Sequence, residues 1–159
     1  WSGCGEFMTT VLGDEIDVLA KAKRAIAGDY LPSDAEEYMC EAQLDYYRRL
    51  LQEWKKLILS AAQDTLQQLQ DGPIREPDLN DRASSETDWG IELRTRDRQR
   101  KLIAKIDSAL RRIEEGEYGY CEVTGEPIGL GRLSARPIAT MTVEAQEAHE
   151  RREKISRDD

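Results

Sequence analysis

With one histidine and three scattered cysteines, the sequence has little to offer metal or nucleophilic chemistry. Cys4, Cys40 and Cys121 form neither a disulfide framework nor a complete zinc set, and their spacing implies a reducing compartment. No stretch approaches the roughly 18 apolar residues of a membrane span. Charge alternates too soon after Met8 for a signal peptide, so a cytoplasmic protein is expected. Aromatics make up only 6% of the chain and the mean hydropathy is -0.70, which leaves little material for a large core and predicts an elongated protein. Positive charge is also short: 23 Lys and Arg stand against 32 Asp and Glu, a net charge of -9. That balance excludes phosphate-backbone binding by the whole surface and favours a protein partner.

What is present is helical periodicity. Residues 1–7, WSGCGEF, have none and read as an appended remnant. Ile16, Leu19, Ala22 and Ile26 lie at helical spacing before Gly28, predicting a short amphipathic helix. Pro32 then breaks the run, and Ser33 or Asp34 is placed to cap the next helix. From Leu44 the apolar positions Tyr47, Leu51, Trp54, Ile58 and Ala61 alternate three and four apart, the seam of a coiled coil. After the loop DGPIREPDLND a second run carries Leu93, Ile103, Ile106, Leu110 and Ile113, with Leu102 and Ala109 beside it, and stops at Gly116. Two such runs joined by a short loop fold back antiparallel into a hairpin on the order of 45 Å long. In that register Ala61 faces Trp89.

The expected fold is therefore mainly α: a long antiparallel coiled-coil hairpin with a small zinc-finger-like globular module and a C-terminal helix. Its parts are an N-terminal helix packing on the globular part (8–34), the hairpin (35–117) with its tip at 71–83, and the module (118–159). Charge is divided along the hairpin. Between Asp64 and Asp88 seven acids meet only Arg75 and Arg82, whereas 94 to 105 carries Arg94, Arg96, Arg98, Arg100, Lys101 and Lys105 against Asp97. Solvation of exposed faces explains any one of these residues, but mixing the signs would stabilise a hairpin better than segregating them.

In the module, the stretch CEVTGEPIGLGRL has the outline of a zinc knuckle. Structural zinc wants four ligands in a tetrahedron, and the ligand positions here hold Cys121, Thr124, Thr142 and Ala145. The module is accordingly expected to hold no zinc and to rest on Tyr118, Tyr120, Val123, Ile128, Leu130, Leu133, Ile138, Met141 and Val143. Thr142 is placed as an N-cap for the last helix. Cys121 reads as a small buried apolar residue and His149 as a surface histidine. The tip sequence EPDLNDRAS offers helix caps and carboxylates but no nucleophile beside a base and no phosphate-cradling loop, so the chain is not expected to be an enzyme.

PDLNDRASSETD, followed by IELRTRDRQRKLIAKI and EEGEYGYCEVTGEPIGLGRLSARPIA, resembles the DksA family of RNA polymerase secondary-channel regulators over about the last half of the chain. The resemblance implies a bacterial hairpin that enters the secondary channel, cuts neither DNA nor RNA, and modulates initiation. The family's tip motif falls on Asp78, Asp81 and Ala83, and its polymerase-binding shaft residues fall on Arg94, Arg98 and Lys105. It also implies a part in the stringent response with ppGpp, held between the factor and the polymerase rim by Leu102, Lys105 and Arg136, with Gln146 where a Lys or Arg is expected. A missing charge-assisted hydrogen bond costs about 1.5–3 kcal/mol, which implies a weaker ppGpp response. The zinc positions place the chain with the family's zinc-independent members. A monomer is expected, with no membrane and no sequence-specific DNA contact.

Two other readings use the same residues. The basic loop RLSARP on a finger-like module suits a DNA-binding ribbon, against which the acidic net charge counts. Tip carboxylates holding Mg²⁺ suit a transcript-cleavage-type secondary-channel factor.

Overall fold

In the computed structural model, residues 16–70 and 79–158 are described, with side chains over 16–64 and 89–157. The first seven residues and most of the tip loop lie outside this set. The protein is mostly helical, with no strand among the described residues. Helix α1 is described over residues 16–25, α2 spans Glu41–Gln70, α3 Leu79–Glu115, α4 Leu130–Ala135 and α5 Val143–Asp158. Two compact units result. One comprises Trp1–Ala25 with Glu53–Lys105, the other Ile26–Gln52 with Ile106–Asp159. The start of α2 shares a unit with the end of α3, the pairing an antiparallel hairpin requires.

In the first unit α1 buries Leu19 and Ala22, one turn apart, and ends at Ala25, three residues before the expected Gly28 stop. Trp54 and Ile58 of the α2 seam are buried as their spacing predicts. Three expectations fail here. Ala61 is exposed, and so are Trp89 and Leu93 of α3, so the small-against-large match expected at Ala61 and Trp89 is not a buried one. An α-helix drifts about 20° per heptad from a 3.5-residue repeat, so positions a few turns from a well-packed seam rotate out of it.

The second unit carries most of the core. Tyr47, Leu50, Leu51, Ile106 and Leu133 are fully buried, with Ala109, Ile113 and Tyr118 nearly so. All six tyrosines fall in this unit, and four pairs meet at ring-centroid distances of 5.3–6.2 Å: Tyr30 with Tyr46, Tyr46 with Tyr47, Tyr47 with Tyr118, and Tyr38 with Tyr120. Such contacts add about 0.5–1.5 kcal/mol each beyond their area. Helix α3 stops at Gly116, at φ 78°, where the Glu117 amide donates back to the Arg112 carbonyl at 2.9 Å.

A strap over residues 30–40 ties this unit together. Ser33 does not cap a helix. Its hydroxyl accepts from the Ala35 amide in a local turn, and α2 begins only at Glu41. The entry is organised instead by Gln43, fully buried, whose Oε1 accepts from the Met39 amide at 2.9 Å while Nε2 donates to the Ser33 carbonyl and to Glu36. Glu36 also accepts from the Tyr30 hydroxyl at 2.7 Å, and these two hydrogen bonds hold its carboxyl below the usual range. Tyr38 reaches furthest along the chain: its hydroxyl donates to the Gly119 carbonyl (2.7 Å) and accepts from the Gly129 amide (3.0 Å).

Gly119 sits at φ +89° under Met39, and a Cβ there would lie 2.7 Å from the Met39 side chain. Gly119→Ala is expected to cost about 1–3 kcal/mol through backbone strain at positive φ, with the methionine displaced. Denaturant titration with an unchanged slope checks this, and a loss below about 0.5 kcal/mol would contradict the close approach.

Candidate functional site

The shaft residues lie on α3 in the first unit. Arg94, Arg98 and Lys105 are exposed and spaced four and seven apart, which puts their side chains on one stripe. Leu102, half-buried, lies on the same flank. Their neighbours are engaged along the helix: Arg96 pairs with Glu92 at 3.6 Å and Lys101 with Asp97 at 3.0 Å. Exposed pairs of this kind contribute only a few tenths of a kcal/mol and leave the helix face cationic in places. Of the tip residues, Asp78 lies outside the described residues, and Asp81 and Ala83 belong to the opening turns of α3 with side chains outside them.

The finger-like module is built on a turn rather than a strand pair. Tyr120 and Pro127 form one isolated antiparallel bridge. The Cys121 amide donates to the Glu126 carbonyl (2.8 Å) and the Gly125 amide to the Cys121 carbonyl (2.9 Å), with Gly125 at φ 76°. The Glu122 amide reaches the Thr140 carbonyl at 2.9 Å, joining the knuckle to the segment before α5. Thr142 caps α5 as expected, its hydroxyl accepting from the Ala145 amide at 3.2 Å. Ile128, Leu130, Leu133 and Ile138 are buried, Tyr120 and Met141 partly so. Val123 and Val143 are not: both are exposed, because one lies in the turn and the other opens α5.

Cys121 is buried, at 4% exposure, in line with its reading as a small core residue. It is not inert. Burial pushes its thiol up, but hydrogen bonds from the Thr124 hydroxyl and from the backbone of Thr124, Thr142 and Val123 outweigh this and bring it to about 6. His149 is exposed and faces Glu153 at 3.2 Å, as a surface histidine should.

Sequence reasoning passed over Arg112. Its guanidinium donates to the Tyr120 carbonyl at 2.6 Å and the Glu117 carbonyl at 3.1 Å, and lies 3.7 Å from the Glu122 carboxylate. It pins the knuckle to the end of α3 and lines, with Glu117, Tyr120, Cys121 and Glu122, an open cavity of about 390 Å³. In the sequence it is one arginine of the run LRRIEE, and nothing local separates it from its neighbours. Of the positions expected to meet ppGpp, two lie in this unit: Arg136, exposed just after α4, and Gln146, whose amide donates to Glu150 at 3.1 Å.

Residues 43–113 match the family model of the DnaK suppressor protein DksA, N-terminal domain. Residues 116–151 match the prokaryotic dksA/traR C4-type zinc finger. The RNA polymerase-binding transcription factor DksA of Caulobacter vibrioides is 62% identical over 131 residues, 82% of this chain and 92% of that protein. The chain belongs to the DksA family. The Escherichia coli K12 DksA, also named an RNA polymerase-binding transcription factor, is 43% identical over 132 residues, 82% of this chain and 87% of that one. Among solved structures, transcription factor DksA2 from Pseudomonas aeruginosa aligns with a TM-score of 0.67 at 40% identity, covering 88% of this chain and 98% of its own. These DksA relatives bear out the fold class of a coiled coil with a small C-terminal module.

The family match corrects one expectation. The module was expected to hold no zinc, and the match of residues 116–151 to a C4-type zinc finger points to zinc binding. The expectation weighed the residues at four ligand positions, whereas the family match extends over residues 116–151 as a whole. The four positions in this chain offer one thiol, two hydroxyls and a methyl that cannot ligate, with the Thr142 oxygen accepting from the Ala145 amide and the Thr124 oxygen from the Glu126 amide. No group of three or more His, Cys, Asp or Glu among the described residues could hold a metal. That set does not fit a four-thiolate centre.

Proposed function

We propose that this protein is an RNA polymerase-binding regulator of transcription initiation, acting in the cytoplasm as a monomer without catalysing a reaction itself. The observation that carries the reading is the 62% identity, over 82% of the chain, to a relative named for polymerase binding. The paired helices α2 and α3 supply a stiff element, and the cationic stripe of Arg94, Arg98 and Lys105 supplies long-range attraction to an acidic rim. The tip, with Asp78, Asp81 and Ala83, enters the secondary channel and alters the stability of the open complex. Leu102, Lys105, Arg136 and Gln146 contribute to a response to ppGpp, the uncharged Gln146 making it weaker than a lysine or arginine would.

In vitro transcription from a ribosomal promoter, with and without ppGpp, tests the reading. Output is expected to fall on adding the protein and to fall further with ppGpp; unchanged output with saturating protein would refute it. For the shaft, Arg98→Ala is expected to weaken polymerase binding about fivefold at low salt, with the difference shrinking as ionic strength rises. Unchanged affinity at low salt would remove Arg98 from the docking surface.

A further inference from the structure

The strap over residues 30–40 meets the knuckle at Gly119, and a thioether makes the contact. Among the described residues Met39 alone, glycines aside, has a positive φ, at 55°. That conformation is unfavourable for a residue with a side chain, so its surroundings must hold it. Two contacts do so. The Met39 amide donates to Gln43 Oε1 at 2.9 Å, and the side chain lies on Gly119, so close that a Cβ there would come within 2.7 Å of both Cγ and Sδ. Tyr38 reaches the same place, its hydroxyl donating to the Gly119 carbonyl and accepting from the Gly129 amide. Met39 is half-buried, which leaves part of the residue in reach of water and of small oxidants.

We propose that the Met39 thioether is a site of reversible oxidation by hydrogen peroxide, and that its sulfoxide lifts the strap from the knuckle. The step is an oxygen transfer. A sulfur lone pair forms the S–O bond, the peroxide O–O bond breaks, and the second oxygen leaves as water with both peroxide protons; the sulfide loses two electrons and the peroxide gains them. The product is bulkier than the thioether and strongly polar. Its oxygen is an acceptor that requires a donor, and the bare Cα of Gly119 beneath the sulfur offers no N–H or O–H. Turning that oxygen to water rotates the side chain off Gly119. The left-handed turn at Met39 then loses one of its two supports, and the Tyr38 hydrogen bonds to Gly119 and Gly129 open with it. Methionine sulfoxide reductases return the thioether, so the hold of the strap on the knuckle follows the oxidant level. The site does not depend on the polymerase-binding reading above.

The full chain is treated with hydrogen peroxide and then with dithiothreitol, which restores thiols from disulfides and sulfenic acids and leaves methionine sulfoxide in place. Peptide masses locate the added oxygen among Met8, Met39 and Met141, and amide exchange reports the opening. One oxygen is expected at Met39, with exchange at the Met39 and Gly129 amides at least tenfold faster. The Gln146 amide, which donates to the Thr142 carbonyl, is expected to keep its rate. Methionine sulfoxide reductases A and B are expected to reverse the acceleration in step with loss of the oxygen at Met39. Met39→Leu, apolar and of similar volume, is expected to show no acceleration after peroxide. If that variant fails to fold, the reductase reversal on the wild type decides alone. The proposal is overturned if Met39 stays unmodified when Met141 is fully oxidised, or if oxidised Met39 leaves exchange unchanged. Equal acceleration in Met39→Leu overturns it as well, since the cause is then Met141 or a cysteine.

Discussion

Asp81→Asn is expected to abolish regulation of a ribosomal promoter while leaving the affinity for polymerase within about twofold of wild type. The substitution keeps the shape of the side chain and removes its charge. Asp81 falls in the first turn of α3, where a carboxylate near the helix N-terminus stabilises by about 0.3–1 kcal/mol, so the helix loses little. Docking, on the present proposal, is carried elsewhere on α3, by the stripe of Arg94, Arg98 and Lys105. On that proposal the negative charge of Asp81 contributes to the effect on the open complex rather than to attachment. Two measurements decide it: transcript output at saturating protein, expected to return to the level without protein, and competition binding. If binding is lost in proportion to regulation, Asp81 belongs to the docking surface. Asp78→Asn is expected to act in the same direction.

The hairpin was legible because its signal is local and repeated. Tyr47, Leu51, Trp54 and Ile58 on α2, and Ile106 and Ile113 on α3, lie at alternating short intervals, and all are buried. The same periodicity misplaced Leu93 and paired Ala61 with Trp89, because spacing identifies a stripe without saying which way the stripe points. The strap left no such signal. Tyr38 bonds to residues 81 and 91 positions away, and Gln43 organises the entry to α2 for which the sequence offers Ser33 or Asp34 as a cap. Contacts of that range depend on tertiary geometry, which a short window of sequence does not contain. Arg112 was hidden for the same reason: its hydrogen-bond acceptors are backbone carbonyls, which every residue has, and its ion-pair partner Glu122 lies ten residues on. For zinc the error lay in counting ligands one by one where the family pattern spans residues 116–151.

Leu133→Ala is expected to cost the second unit about 2–5 kcal/mol, the range for removing a fully buried leucine and leaving a cavity. The site has little means to collapse. Leu133 is 0% exposed, and its helix α4 is only six residues long, too short to be stable without the packing of Leu130 and Leu133. Neighbouring contacts are fixed by hydrogen bonds that resist relaxation: the Tyr118 hydroxyl donates to the Pro137 carbonyl at 2.7 Å, and Arg132 Nε donates to the Met141 carbonyl at 2.9 Å. Since whole domains are stable by only about 5–15 kcal/mol, a loss of this size should populate an open module at moderate temperature. The check is a lowered denaturation midpoint at constant slope, with faster amide exchange at Cys121 and Ala139, whose amides donate within this module. Val123→Ala provides the contrast: Val123 is 61% exposed, and its truncation is expected to cost less than about 0.5 kcal/mol. Equal effects at the two positions would mean that the core of the module does not lie where Leu133 places it.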